Sequence, residues 1–164
     1  MGQSNLIAEP GKQEITYTRT FAAPPELVYR AFTEPELYRQ WLGPKRLVMT
    51  IKQMDVRPGG SWRYIHSDEQ GNEYGFHGVY HTVEPNRRLV DTFEFEGMPG
   101  HVSLEEATFE PQDGGTKLTI HSVYQSVADR DGMVGSGMEG GMNEGFAKLD
   151  ALLKELQPGK VPAR

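Results

Sequence analysis

The chain has 164 residues, no cysteine and a formal net charge of −6 at pH 7. The absence of cysteine excludes disulfides, thiolate metal sites and cysteine nucleophiles. The negative charge argues against a general nucleic-acid or anionic-membrane surface, because both require a basic patch. The length fits one domain that can bury a sizeable core, or a core with a pocket.

The first thirteen residues are polar and contain Pro10–Gly11, so we expect residues 1–13 to form a flexible N-terminal arm. They lack the apolar segment of a signal peptide, and no apolar run approaches the ~20 residues of a membrane span. We therefore expect a cytoplasmic protein without membrane insertion. The folded domain is predicted to span residues 14–156, and residues 157–164 to form a C-terminal tail.

A first strand and two short helices open the domain. Residues 14–21 are rich in Thr, Ile and Tyr and predict a strand. Pro24–Pro25 end this strand and can begin a helix, because proline is tolerated in the first helical turn. A second short helix is predicted to begin at Thr33 and to end at Gly43–Pro44.

The middle of the chain contains only strand and turn signals. Turn sequences separate the predicted strands, and Asp113-Gly114-Gly115 is typical of a tight hairpin. The six strands predicted here span residues 47–56, 61–66, 74–83, 89–95, 102–110 and 116–124. No helical segment interrupts them, so the pattern favours an antiparallel meander of about seven strands in all.

One amphipathic helix is predicted to close the chain, from about Asp129 to Leu156. Its apolar stripe consists of Met138, Met142, Phe146, Leu149, Leu153 and Leu156. A glycine stripe of Gly137, Gly141 and Gly145 lies beside it; it weakens the first half of the helix and permits close backbone approach. The predicted fold is therefore α+β, a curved antiparallel sheet wrapped around a long C-terminal helix. Such a sheet and helix can enclose an apolar cavity.

Aromatic and methionine side chains are the candidate lining of this cavity. Aromatic residues more often fill a core than line a pocket, whereas methionine beside a weak helical segment suits a deformable wall. The predicted ligand-binding residues are Trp41, Trp62, Tyr64, Phe76, Tyr80, Phe93, Phe95, Met138, Met142 and Phe146.

The motifs that would indicate catalysis or a cofactor are weak. Residues 135–140 match G-x-G-x-x-G, but they do not follow a strand within a βαβ unit, so nucleotide binding is not expected. His77 and His81 would lie about 13 Å apart on a strand, too far to share a metal ion. Nothing assembles a nucleophile, a base and an orienting group. We therefore predict no cofactor, no metal and no catalytic residue.

Several segments, in order along about residues 14–156, resemble a known family. They are Thr33-Glu34-Pro35-Glu36-Leu37, Trp41-Leu42-Gly43-Pro44, Arg57-Pro58-Gly59-Gly60, Phe76-His77-Gly78-Val79-Tyr80, Val83-Glu84-Pro85-Asn86-Arg87 and Gly137-Met138-Glu139-Gly140-Gly141. The chain resembles the bacterial group similar to the C-terminal domain of the activator of the heat shock protein 90 ATPase. That group belongs to the SRPBCC superfamily, with START-type and birch-pollen-allergen-like domains. The resemblance implies a helix-grip fold with a deep apolar cavity.

Three functions are compatible with this resemblance. The first is binding of a small apolar or aromatic molecule that enters beneath the first half of the last helix, with Trp41 and Met138 near the opening. The second is a cyclase- or dehydratase-like enzyme in the same cavity. It would need a buried polar side chain, and the candidates are His77, His81, Asp91 and Tyr80, with His81 and Asp91 facing each other across a hairpin.

The third function is a protein-interaction module related to chaperone ATPase activators, or a homodimer packed through the glycine stripe. The eukaryotic activator uses a separate N-terminal domain that has no counterpart in this sequence, which argues against a chaperone interaction.

Overall fold

An eight-stranded antiparallel sheet, in the order β1-β2-β8-β7-β6-β5-β4-β3, forms the framework. The computed structural model describes residues 2–157. The strands are β1 (Ser4–Ile7), β2 (Glu14–Phe21), β3 (Val48–Met54), β4 (Ser61–Ser67), β5 (Glu73–Glu84), β6 (Arg88–Phe95), β7 (Val102–Gln112) and β8 (Gly115–Val123). The helices are α1 (Pro25–Thr33), α2 (Pro35–Tyr38), α3 (Val127–Gly135) and α4 (Met138–Glu155). The predicted helix-grip fold is confirmed.

The sheet is a meander from β3 to β8, and β2 joins it beside the last strand. In β2, buried and less buried residues alternate, so one face of the strand lies against the core. Tyr17 and Phe21 of that face contact the ring of Phe146 in α4, with ring centroids 5.6 and 5.5 Å apart. The helix therefore lies on the concave face of the sheet.

Three elements differ from the prediction. The second short helix was expected from Thr33 to Gly43–Pro44 but spans only Pro35–Tyr38, and turns continue the chain to Trp41. Ser4–Ile7, within the segment expected to be a loose arm, forms an edge strand that pairs with β2. This strand is too short for its alternation to be recognised. The predicted last helix is two helices, because Gly137 adopts a left-handed conformation with φ 85° between α3 and α4. The predicted C-terminal tail, 157–164, lies outside the described residues except for Gln157.

The core has two parts. The larger one packs α1, α2 and α4 against β2, β7 and β8, and it includes Trp41, whose indole N–H donates to the carbonyl oxygen of Ala31 at 3.0 Å. The smaller one consists of Met49, Trp62, Tyr64 and Tyr80 on β3, β4 and β5. Part-buried residues, among them Tyr38 and Leu42, pack against both parts.

Two buried arginines fix the last two helices. Arg19 of β2 forms a bidentate ion pair with Asp150 of α4, with N–O distances of 2.8 and 3.1 Å. Arg130 of α3 donates to the backbone carbonyls of Glu9 and Glu14 at 2.7 and 2.9 Å. These contacts set the positions of α3 and α4 over the sheet.

Within residues 2–157, no helix has the length and apolar character needed to cross a membrane.

Candidate functional site

A cavity of about 460 Å³ lies between the concave face of the sheet and the last two helices. This volume is within the usual range for small-molecule sites in proteins. Its walls come from β2 and β4 to β8, from the segment 41–47 after α2, and from the region where α3 meets α4.

Nine of the ten predicted binding residues line this cavity; they are Trp41, Trp62, Tyr64, Phe76, Tyr80, Phe93, Met138, Met142 and Phe146. The rings on β4, β5 and β6 form a continuous wall. Trp62 stacks on Tyr64 at 5.3 Å between centroids, and Phe76 contacts Tyr64 and Phe93 at 5.3 and 5.4 Å.

Phe95 is the exception, because it does not line the cavity. It lies beside Phe76 in the sheet, with the two ring centroids 5.1 Å apart. Alternation places Phe93 and Phe95 on the same side of β6, but it does not indicate where along the strand the cavity ends.

The cavity reaches the surface where α3 meets α4. Ser136 and Gly137 at this break are exposed lining residues, and so is Arg46 on the facing segment. Met138 lies beside the break and is half-buried, as expected for a residue near the opening. Trp41, in contrast, is 1% exposed, so it forms an inner wall and not the rim that we predicted.

Gly145 explains how α4 closes over the adjacent segment. A Cβ atom at this position would lie 2.9 Å from the Trp41 carbonyl oxygen and 3.2 Å from the Gly43 nitrogen. The backbone N–H of Lys45 also donates to Glu144 Oε1 at 3.0 Å. At Gly145 the glycine stripe therefore contacts its own chain, at a position that the alternative of a homodimer packed through this stripe would use.

A row of polar side chains crosses the concave face of four adjacent strands. Tyr80, Asp91, Glu105 and Ser122 are successive register partners on β5, β6, β7 and β8, and all four line the cavity. We call these four residues the polar row. It lies in a site that is otherwise mostly aromatic and aliphatic.

The polar row corrects the predicted pairing of His81 with Asp91. The partner of Asp91 is Tyr80, and a register irregularity follows between Tyr80 and Thr82. His81 is exposed, and its ring forms a hydrogen bond with the hydroxyl group of the neighbouring Thr82, at 3.1 Å.

His77 lies on the opposite face of β5 and contacts Glu94 and Glu96 at 3.2 and 2.9 Å. Of the four polar candidates for an enzyme, Tyr80 and Asp91 therefore line the cavity, whereas His77 and His81 do not.

Glu105 is held firmly within the polar row. The hydroxyl groups of Ser103 and Ser122 donate to its two carboxyl oxygens at 2.6 and 2.5 Å. Burial raises the pKa of Glu105 above its ordinary value, while the two serine hydrogen bonds and nearby His121 oppose that rise. The two serine hydrogen bonds therefore favour the ionised form of Glu105, whereas burial disfavours that form.

Asp91 is the less supported carboxyl group. Burial raises its pKa well above the ordinary value, the charge of Glu105 raises it further, and the indole N–H of Trp62 acts in the opposite direction. That N–H lies near Asp91 but makes no hydrogen bond of regular geometry within residues 2–157. Because two like charges this close disfavour each other, we infer that Asp91 holds the proton when the pair carries one.

His66 adds a neutral polar group to the cavity wall. It is 5% exposed, and its Nε2 atom is buried without a hydrogen-bond partner among the described residues. Burial lowers its pKa to about 4, and the charge of Lys148 contributes. The imidazole is therefore uncharged at neutral pH and cannot balance the carboxyl groups.

Sequence reasoning missed Glu105 as a site residue, although its strand carries a recognisable signal. Ser103, Glu105, Ala107 and Phe109 alternate on one face of β7, and the last two are clearly core residues. That alternation directs Glu105 inward. Its proximity to Asp91, however, depends on the register of two strands, which the sequence does not define.

The comparisons with known proteins agree with this architecture. Residues 22–154 match the family model described as "Activator of Hsp90 ATPase homolog 1-like protein". A comparison with curated proteins finds no match.

Solved structures from several bacteria are similar. A Rhodobacter sphaeroides protein is 28% identical with a TM-score of 0.86, and the match covers 93% of this chain and 99% of that chain. A Chromobacterium violaceum protein is 27% identical with a TM-score of 0.74, and the match covers 87% of this chain and 97% of that chain. The AHSA1 protein of Silicibacter pomeroyi, 22% identical with a TM-score of 0.71 over 85% of this chain and 96% of that chain, shares the fold. The chain therefore belongs to the family of proteins that resemble the activator of Hsp90 ATPase homolog 1.

Proposed function

We propose that the protein binds a small apolar or aromatic molecule in the cavity between the sheet and α3–α4. The observation that carries this proposal is the cavity itself, about 460 Å³ in volume and lined mainly by aromatic and aliphatic side chains. Pockets of this size with few polar groups are typical of small-molecule sites. Burial of an apolar ligand would contribute roughly 25 cal/mol per Å² of apolar surface removed from water.

The helical side of the cavity supports reversible entry. Met133, Met138 and Met142 line the cavity on this side, and all three are half-buried. Methionine adapts to irregular shapes because its side chain is unbranched and flexible. The break at Gly137 separates α3 from α4, so small movements there would not require a continuous helix to bend.

Native mass spectrometry of gently purified protein tests the proposal directly. We expect an added mass that is released on denaturation and recovered in an organic extract. A protein that carries no added mass and binds no member of a panel of apolar and aromatic compounds would contradict it.

Substitutions that fill the cavity test the same proposal. Met138→Trp and Met142→Trp should weaken binding about tenfold or more, because an indole ring would occupy the ligand's space. Ala147→Trp is the matched control, since Ala147 is exposed on the same helix. Undiminished binding in both methionine variants, with the fold intact, would show that the ligand does not lie under α4.

A further inference from the structure

The polar row lies in the same cavity and carries two carboxyl groups that have no cationic partner there. Asp91 and Glu105 are direct register partners, so their Cβ atoms are about 5 Å apart. Among the described lining residues, Arg46 alone has a permanently charged cationic side chain, and it is exposed at the rim. Within the described lining of the cavity, a negative charge on the pair therefore has no cationic side chain beside it.

The groups around the pair also lack partners. Tyr64 and Tyr80 are 8% and 6% exposed, and neither hydroxyl group makes a side-chain hydrogen bond within residues 2–157. Both hydroxyls lie close enough to Asp91 for its charge to raise their pKa values further above the ordinary value than burial alone. The Trp62 N–H is likewise unpartnered. Buried polar groups usually find partners, so the buried, unpartnered Trp62 N–H beside Asp91 points to a ligand in this part of the cavity.

The surrounding rings are suited to a positive charge. Trp62, Tyr64, Phe76 and Phe93 form the adjacent wall, and all four line the cavity. Aromatic faces attract cations, and the attraction is stronger where water is excluded. A buried carboxylate also needs a cation to offset the cost of its desolvation.

We propose that the ligand carries a basic nitrogen, which binds in its protonated form between Asp91 and the aromatic wall. This inference rests on the proposed binding function and names the chemical class of its ligand: an apolar or aromatic amine. The ammonium group would donate to Asp91, with Glu105 directly behind it, while the apolar body extends beneath Met138 and Met142.

A metal ion fits the pair less well. Three or more clustered histidine, aspartate or glutamate side chains are the usual minimum for a protein metal site, and within residues 2–157 no such group surrounds Asp91. The aromatic rings beside the pair would also supply no oxygen ligands to a hard cation.

Two probes of the same shape test the inference on the wild-type protein. 1-Naphthylmethylamine is positively charged at pH 7.5, whereas 1-naphthylmethanol is neutral. Isothermal titration calorimetry should show the amine binding about tenfold or more tightly than the alcohol, as expected for a hydrogen bond between charged groups. Equal affinities would overturn this inference and leave the proposed binding function intact. Binding of neither probe would contradict both.

Variants of Asp91 and Glu105 test whether this pair causes the preference for the amine over the alcohol. Asp91→Asn, alone and combined with Glu105→Gln, should lower the affinity for the amine to that for the alcohol, so that the preference for the amine is lost. Glu110→Gln is the control for the removal of one carboxyl group, because Glu110 is exposed on the same strand as Glu105. Persistence of the preference in the double variant would overturn the assignment to this pair. The wild-type comparison stands by itself if the double variant does not fold.

Discussion

Gly145 of α4 faces the carbonyl oxygen of Trp41 so closely that a Cβ atom would lie 2.9 Å from it. Glycine in a helix costs about 1 kcal/mol relative to alanine, so Gly145→Ala would stabilise an isolated helix. In this protein we expect the opposite, because the neighbouring atoms are backbone and cannot rotate away. Thermal unfolding should show a loss of about 1–3 kcal/mol.

Gly140 provides the matched control for this prediction. It lies in the same helix, is exposed, and a Cβ atom there would meet nothing within 4 Å. Gly140→Ala should therefore stabilise the protein by up to about 1 kcal/mol. Equal and positive shifts in the unfolding temperature of both variants would show that α4 does not approach the 41–43 segment as described.

The pair of Arg19 and Asp150 predicts a second stability effect. The Arg19 side chain is 7% exposed, so Asp150→Asn would leave a buried guanidinium without its carboxylate. We expect a loss of about 2–3 kcal/mol in the free energy of unfolding measured with denaturant. Glu34→Gln breaks the exposed Arg30–Glu34 pair and should cost no more than about 0.5 kcal/mol. Similar small losses in both variants would contradict a structural role for the Arg19 pair.

The elements of this fold could be predicted largely because their signals are local. The proline pair at residues 24–25 and the hairpin glycines define where elements begin and end. The sequence did not predict the break at Gly137, because apolar residues follow it at helical spacing from Met138 onwards. A glycine in that pattern indicates weakness, but it does not show whether the chain stays helical or adopts the left-handed conformation observed.

The apolar part of the site was predictable for the same reason, whereas the polar row was not. Trp62, Tyr64 and Phe76 lie on strand faces that alternation identifies. Asp91 was expected opposite His81, one residue from its observed partner Tyr80. A shift of one residue moves a side chain to the other face of the sheet, so the chemistry of the site depends on a register that tertiary packing sets.

His66 predicts a stability that declines in mild acid. Burial lowers its pKa to about 4, whereas a histidine in the unfolded chain titrates near 6.5. Between these values the unfolded chain binds a proton that the native protein does not, so the contribution of His66 to stability is lost as the pH falls from 6.5 to 4. The full effect is on the order of 2–3 kcal/mol.

The variant His66→Gln isolates this contribution, since glutamine does not titrate. Between pH 7 and pH 5, its unfolding free energy should fall less than that of the wild type. His81→Gln is the control, because His81 is exposed on the neighbouring strand. Parallel pH profiles for wild type and His66→Gln would show that the imidazole is accessible to protons in the native state.

Asp91 should affect stability in the opposite direction. Its native pKa is raised by burial and by Glu105, so above about pH 4 the unfolded chain has lost a proton that the native protein still holds. The stability contributed by this group therefore decreases as the pH rises from about 4 to the raised native pKa. Asp91→Asn removes the titration, so its unfolding temperature should exceed that of the wild type by more at pH 8 than at pH 5.

Glu110→Gln is the control, because Glu110 is exposed on the neighbouring strand. The proposed amine ligand should also change the stability difference between Asp91→Asn and the wild type. At saturating 1-naphthylmethylamine and pH 8, the bound ammonium group offsets the negative charge of the pair, so the advantage of Asp91→Asn over the wild type should shrink or reverse. An advantage that is the same with and without the amine would show that Asp91 is buried for structural reasons alone.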